Sequence, residues 1–589
     1  MTDLIGASAA KQADPEAVAS DWLDVFEASA RLGDVDAVLS LFSEDCWWRD
    51  ILTVTWDLRT MHGLREVRDL AGEQLKSTGF SDFTLDDRLP ASLAQGGVTA
   101  AFTFQTDVAY GRGLVRLREE DGVWKAWALL TKIEDLIGYP EQRTVFADTL
   151  KPKPTTPEGR AEGWYEYRER QREFRHQEPD VVVVGAGHAG LSTAARLQHL
   201  GLSSLVLEQT PRVGDVWRDR YRGLTLHTVS FFVQMPYLSY PDNWPVFPPK
   251  ELIGDWFEAY AWMLQLNVWT SACVESAKYD EDDERWTVDV IRDGERRTVN
   301  PRHVVFATGA HSGNPSPPEI PGNETFRGVI THSSVYRGAE DLEGKRVVVV
   351  GTGSSGIDIA EDAYEMGADV TLVQRGGTTI MSIENGVKTL HGNLYSETGP
   401  GIDEADLISL SSPFNLLLRE LAPQIFEHVA QGDAELHEGL KNVGFEVSRG
   451  PYGSGHLGQS LLGGGCYIEK GALQLIINGQ IKIQRGEISS FTQNGVVFSD
   501  GTEAEADLVI FATGFPNMRD TIRPIVGDGL ADQLTVVWGL DDEGEINGLY
   551  RPSGHPKLWF MGGGFQDSRW GSKFLALQIK ATEEGLIKS

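Results

Sequence analysis

Two segments carry the same constraint: "VVVVGAGHAG" at 181–190 and "VVVVGTGSSG" at 347–356. Four consecutive valines read as a strand buried on both faces, as in a parallel sheet. A G-x-G-x-x-G follows each run. Gly185 and Gly351 allow the tight turn, Gly187 and Gly353 let the backbone approach a pyrophosphate, and Gly190 and Gly356 let the next helix pack closely on its strand. The helix N-terminus then offers free N–H groups and a positive dipole end to phosphate. A second strand follows each helix. "SSLVLE" ends at Glu208 and "DVTLVQ" at Gln374, each 23 positions after its first glycine. A glycine loop alone is a weak signal. Strand, loop, helix and strand in order, twice over, predict two Rossmann-like dinucleotide-binding units of an α/β fold.

The second strands end differently. The Glu208 carboxylate can accept hydrogen bonds from ribose hydroxyls. Gln374, followed by Arg375, tolerates a 2′-phosphate that a carboxylate would repel. We therefore assign FAD to the first loop and NADPH to the second. NADH use stays open, because Gln374 can also hydrogen-bond a bare ribose. The expected contacts are Gly185, Gly187, His188, Ala189, Gly190, Glu208 and Gln209 at the first loop. At the second they are Gly351, Gly353, Ser354, Ser355, Gly356, Gln374 and Arg375.

The rest of the 589-residue chain has room for further domains. Residues 1–15 read as a disordered start. Residues 16–145 read as an α+β domain: "DWLDVFEASARLGDVDAVLSLFSED" has helical spacing around a Gly-Asp turn, and "GGVTAAFTFQTDVA" and "GLVRLREEDGVWKAWALLTKIEDL" alternate like paired strands. Asp50, Asp57 and His62 are its polar residues to check, as satisfied structural groups or as a site. Residues 146–179, rich in proline and charge, read as a linker with an amphipathic helix near 160–175. The FAD-binding domain is expected over 180–335 and 490–589. The NADP-binding domain is expected over 336–489, with a loop-rich insertion near 380–470 in which "DAELHEGL" (433–440) reads as a solvated helix face.

A net charge of −33 disfavours nucleic acid and anionic membranes as partners. Cys46, Cys273 and Cys466 are far apart, so no metal site, disulfide framework or redox cysteine pair is expected. With neither a basic leader nor a long apolar run in view, the expected location is cytoplasmic.

The residues between and after the loops carry a family resemblance. "FRGVITHSSVY" at 326–336 fits F-x-G-x-x-x-H-x-x-x-Y and is similar to the fingerprint of class B flavin monooxygenases, with Tyr336 resembling the flavin-containing monooxygenase branch. "VVFATGAHSGNPSPPEIPG" (304–322) and "DLVIFATGF" (507–515) look like the two ATG segments of that superfamily. "VGDVWRDRYRGLTLHT" (213–228) and "MPYLSYPDNWPVFPPKELIGDWFEAYA" (235–261) resemble its flavin side, including that of the plant auxin-making enzymes. The N-terminal α+β domain resembles an NTF2-like (SnoaL-like) cone, as in type II flavin-containing monooxygenases.

The resemblance implies an NAD(P)H-, FAD- and O2-dependent monooxygenase acting through a flavin C4a-(hydro)peroxide. Its small organic substrate would be a ketone oxidised by Baeyer–Villiger chemistry, or a sulfide or amine. Alternatives are decarboxylating oxidation of an indole-type 2-keto acid, a pyridine-nucleotide disulfide oxidoreductase, and an FAD-binding redox protein without monooxygenase activity. The resemblance adds Val216, Trp217, His227, Thr228, Gln234, Val274, Thr308, Gly309, Thr513 and Gly514 to the cofactor contacts. His227 falls where the family has an asparagine near the flavin, and is a catalytic candidate with His332. A homodimer is also expected.

Overall fold

The computed structural model describes residues 13–587, apart from 95, 143–154, 157, 310–314, 316, 339–340, 393 and 462–463. Most of the expected disordered start, the first part of the linker and part of the first ATG segment lie outside the described residues.

Each valine run forms the middle strand of a five-stranded parallel sheet. The first sheet runs Val268–Trp269, Ser204–Leu207, Val181–Val184, His303–Phe306, Leu558–Phe560. The second runs Val329–His332, Leu508–Phe511, Arg346–Val350, Asp369–Gln374, Ile481–Arg485. Val181–Val183 and Val347–Val349 are almost fully buried, as strands covered on both faces must be. The helices His188–His199 and Ser354–Glu365 follow the two loops. Val329–His332 and Leu508–Phe511, expected in the FAD-binding domain, are strands of the second sheet: the fingerprint forms its edge strand, and the second ATG segment continues the strand beside the second glycine loop.

The N-terminal domain starts with helix Pro15–Leu32, capped by the Asp14 side chain and stopped by Gly33 at φ 70°. Helix Val35–Ser40, the hairpin Phe42–Ile51/Leu58–His62 and helix Gly63–Thr78 come next. The sheet places Phe42–Ile51 parallel to Val123–Leu136, which continues antiparallel through Ala109–Glu120 and Gly97–Gln105 to Ser81–Leu85. One side packs Phe26, Trp48, Phe83 and Phe102 into an aromatic core. The other side, with Ile51, Leu58, Leu114, Leu130 and Ile133, is continuous with the core of the first dinucleotide domain. Asp50 is buried against Thr131 and Val54, and Asp57 pairs with Arg551 outside the N-terminal domain. His62 is exposed, stacked on Trp47 and bonded to Asp45. All three have hydrogen-bond partners within the protein.

The insertion departs from its loop-rich expectation. It contains helices Ile402–Leu410, Ala422–Gly432, Ala434–Asn442 and Gly455–Leu461. The best patterned of them, Ala422–Gly432, buries Ala422, Phe426 and Val429, which stand four and three positions apart on one face. The insertion meets the N-terminal domain through charged groups. Arg49 makes two 2.7 Å bonds to Glu545 and a third to the Leu410 carbonyl, while Arg112 bridges Asp86 and Glu404.

Two glycine cradles and the residues between them

The two loops have the same geometry. Gly185 and Gly351 sit at φ 108° and 113°, a region closed to side chains, and a Cβ there would meet the carbonyls of Ala307 and Ala512 at 2.6 and 2.5 Å. A Cβ on Gly190 or Gly356 would lie 1.9 Å from the carbonyl oxygen of Gly185 or Gly351. These glycines are required by the protein's own packing. Gly187 is different: its φ is −76° and a Cβ would meet nothing within 4 Å. Gly353, also at −76°, would have only an ordinary contact, to the Gly465 nitrogen at 3.6 Å. Glycine at these two places leaves space free of protein at a helix N-terminus, which fits a pyrophosphate. Beside the first loop, the buried Thr308 hydroxyl has no protein partner. The residues present therefore fit a dinucleotide in each cradle.

Around the first cradle, Glu208 is buried and accepts from Ala186 N (2.8 Å) and from the backbone and hydroxyl of Thr210. It fixes the loop, and its remaining lone pairs are available to a ribose. Gln209 is exposed and Ala189 buried. The His188 ring bonds the Gly563 carbonyl (3.0 Å) and stacks on Phe565 at 4.4 Å, with its pKa lowered by burial. This contact brings the start of the C-terminal helix Phe565–Glu583 beside the first loop. Trp217, half-buried, also reaches Phe565, while Val216 is exposed. Val274 is half-buried on strand Ala272–Asp280, whose first residue bonds the Glu208 carbonyl. Thr228 is half-buried. The Gln234 side chain is committed to Ser230 O and Tyr240 N, so it holds its own loop.

Around the second cradle, Ser354 donates to the Cys466 carbonyl and Ser355 is half-buried. Gln374 is fully buried. Its amide bonds both backbone groups of Glu446 and accepts from Arg485 (2.7 Å), so it serves as a bracket for the 446 segment. Arg375 is 82% exposed and paired with Glu487; Arg485 is paired with Glu446. The rim of this cradle thus carries two arginines, each with a carboxylate partner. Gly309 (φ 83°) and Gly514 (φ 91°) turn the chain after the two cradle strands, with Thr513 exposed beside Gly514.

The fingerprint residues pack within the second domain. Phe326 packs on Phe491, and Tyr336 donates to Asp362 (2.9 Å). His332 is buried against Phe515, accepts from Ser334 N at Nδ1, and has its pKa lowered by burial. His227 reaches Asp358 at 2.9 Å, and Tyr221 reaches the same oxygen at 2.8 Å. Sequence reasoning missed Asp358. Its signal is an acid two positions after the last glycine of the second loop, on the helix that leaves the cradle.

All three cysteines are free. Among the described residues, no group of His, Cys, Asp and Glu could hold a metal ion, and no helix is long and apolar enough to cross a membrane.

Residues 179–390 match the family model described as pyridine nucleotide-disulphide oxidoreductase. The rice protein indole-3-pyruvate monooxygenase YUCCA1 (Oryza sativa subsp. japonica) is 33% identical over 339 residues, covering 57% of this chain and 77% of that protein. YUCCA8 of Oryza sativa subsp. indica, with the same described activity, is 32% identical over 341 residues, 57% of this chain and 75% of its own length. Among solved structures, the ε-caprolactone-bound cyclohexanone monooxygenase in its loose conformation matches with a TM-score of 0.51 and 19% identity. It covers 69% of this chain and 88% of that one, a likeness of fold.

Proposed function

The chain belongs to the flavin-dependent monooxygenase family that includes the YUCCA indole-3-pyruvate monooxygenases, and we propose that its first cradle seats FAD and its second NADPH or NADH. It is an NAD(P)H- and FAD-dependent oxidoreductase that places one oxygen atom of O2 in a small organic substrate. The observation that carries the cofactor assignment is the repeated open glycine, Gly187 and Gly353, each at a helix N-terminus. When bound, the flavin supplies hydride acceptance from the nicotinamide and activation of dioxygen.

The chain's own residues do the rest. The N–H groups at 187–190 and 353–356 bind the two pyrophosphates. Glu208 holds a ribose, and Arg375 reads the 2′-phosphate. The C-terminal helix start at Gly564 adds a second positive dipole end beside the first cradle. His227, with Nδ1 buried and without a protein partner, offers a hydrogen-bonding group between the two halves and can hold a proton there. The element order of the N-terminal domain supports the NTF2-like reading, and its shared core supports a packing role. Cytoplasmic residence and a homodimer complete the proposal.

For the substrate we propose a carbonyl compound: a ketone converted to an ester or lactone, with sulfide or amine oxidation as a related capacity. The indole-3-pyruvate activity named for the rice relatives favours a second reading, decarboxylating oxidation of an aromatic 2-keto acid. The test is product identification with cyclic ketones, a sulfide and indole-3-pyruvate under NADPH and O2. A lactone supports the first reading and indole-3-acetate the second. NADPH consumption unchanged by every substrate would refute both.

A further inference from the structure

The segment 221–227 leaves the first dinucleotide domain and lies against the second. Three of its side chains meet one buried acid and its counter-ion. Tyr221 Oη and His227 Nε2 both bond Asp358 Oδ2, at 2.8 and 2.9 Å. Lys470 Nζ donates to Thr225 Oγ1 at 2.8 Å and stands 4.0 Å from Asp358 Oδ1. Asp358 is on the helix that begins in the second cradle, and is 6% exposed. Burial alone would raise its pKa. The hydrogen bond from His227, then Lys470 and Tyr221, outweigh this and hold the carboxyl below its ordinary range.

An ionised carboxylate only accepts hydrogen bonds, so the proton shared with His227 belongs to Nε2. The ring is then fixed in plane by Asp358 and braced edge-on by Tyr467 at 5.5 Å. Nδ1, buried and without a protein partner, is the group left to act. A buried polar nitrogen with no protein partner can be satisfied by a bound molecule.

We propose that Asp358 is the positioning residue for His227: it sets the imidazole tautomer and aim so that Nδ1 meets the bound cofactor or substrate. This rests on the cofactor reading above. The acid and the histidine belong to different halves of the molecule, so His227 is aimed only while the two cradles are apposed. Lys470 supplies the balancing charge. Glu361, one turn along the same helix, is pushed up to about 7 by burial and by the charge of Asp358. Arg220 and His456 complete the charged and titratable groups that sense the pair.

The test uses the flavin-loaded enzyme labelled with 15N-histidine, with His227→Asn identifying the His227 signal. The expected wild-type signal is Nε2-protonated. Asp358→Asn should give mixed tautomers, and Asp358→Glu should restore the wild-type form. In turnover, Asp358→Asn should lower kcat about tenfold or more with KM for NADPH little changed, and Asp358→Glu should recover most of it. The double variant with His227→Asn should be no worse than the poorer single variant. An unchanged tautomer in Asp358→Asn, or losses that multiply in the double variant, would overturn the proposal. A wild type that oxygenates nothing would count against the function reading alone, because the tautomer measurement stands without turnover.

Discussion

Gly187 and Gly190 are three positions apart and obey different constraints. Gly190 has no room for a Cβ against the Gly185 carbonyl, whereas Gly187 faces open space with an ordinary φ. Gly190→Ala should cost about 3 kcal/mol or more through overlap with backbone. Gly187→Val should fold normally and lose its flavin. Urea unfolding together with flavin absorbance separates the two; a yellow Gly187→Val protein would refute the first cradle. At the second cradle, the sequence suggested that Gln374 faces the ribose, but its amide is committed to Glu446 and Arg485. On the proposed reading, coenzyme choice falls to Arg375 and Arg485, whose charges are offset by Glu487 and Glu446. Glu446→Gln and Glu487→Gln should each raise kcat/KM for NADPH relative to NADH, by at most about fivefold, since exposed pairs are weak. An unchanged ratio in both variants would remove the arginines from that role.

At the scale of elements, the strand Phe42–Ile51 carries two buried charges with opposite consequences. Arg49 is paired with Glu545, and Thr60 also donates to that carboxylate. Glu545→Ala would leave a buried guanidinium without its counter-ion, at a cost of about 3–5 kcal/mol. Replacing both partners by leucine should recover much of that loss. A single variant as stable as wild type would show that the domain contact is loose. Asp50, one position on, is pushed up to about 6 by burial, against hydrogen bonds from Val54 and Thr131. A folded-state pKa above the unfolded value means that the folded chain holds the proton longer. The stabilisation is complete below about pH 4 and is lost as pH rises through 6. Between pH 5 and 7, wild type should lose about 1 kcal/mol more stability than Asp50→Asn. Parallel urea-midpoint curves would contradict this.

Across the whole molecule, what could be read from the sequence follows from how local each signal is. The cradles are short, contiguous patterns whose glycines answer to backbone geometry, so 181–208 and 347–374 were readable. The N-terminal helices were readable from periodicity and turn residues. Of the insertion, only "DAELHEGL" reads as helical; the Phe426 and Val429 spacing of Ala422–Gly432 goes unread, and Ile402–Leu410 depends on a distant partner, since its Asp406 is held by Arg569, which also binds the carbonyls of Phe232 and Gln234. The joint between the N-terminal domain and the core was hidden for the same reason, since Arg49 and Glu545 are brought together only by the fold. Asp358 is an intermediate case, a local position whose partner His227 lies 131 residues away.

All of this converges on two seated dinucleotides that deliver reducing equivalents to oxygen. The most direct measurement is to reduce the flavin-loaded protein anaerobically with NADPH, admit 18O2 with the accepted substrate, and analyse the product by mass spectrometry. The account predicts one labelled oxygen atom in each product molecule and one NADPH oxidised for each product formed. Unlabelled product, or NADPH oxidation that yields only hydrogen peroxide with every substrate, would contradict it.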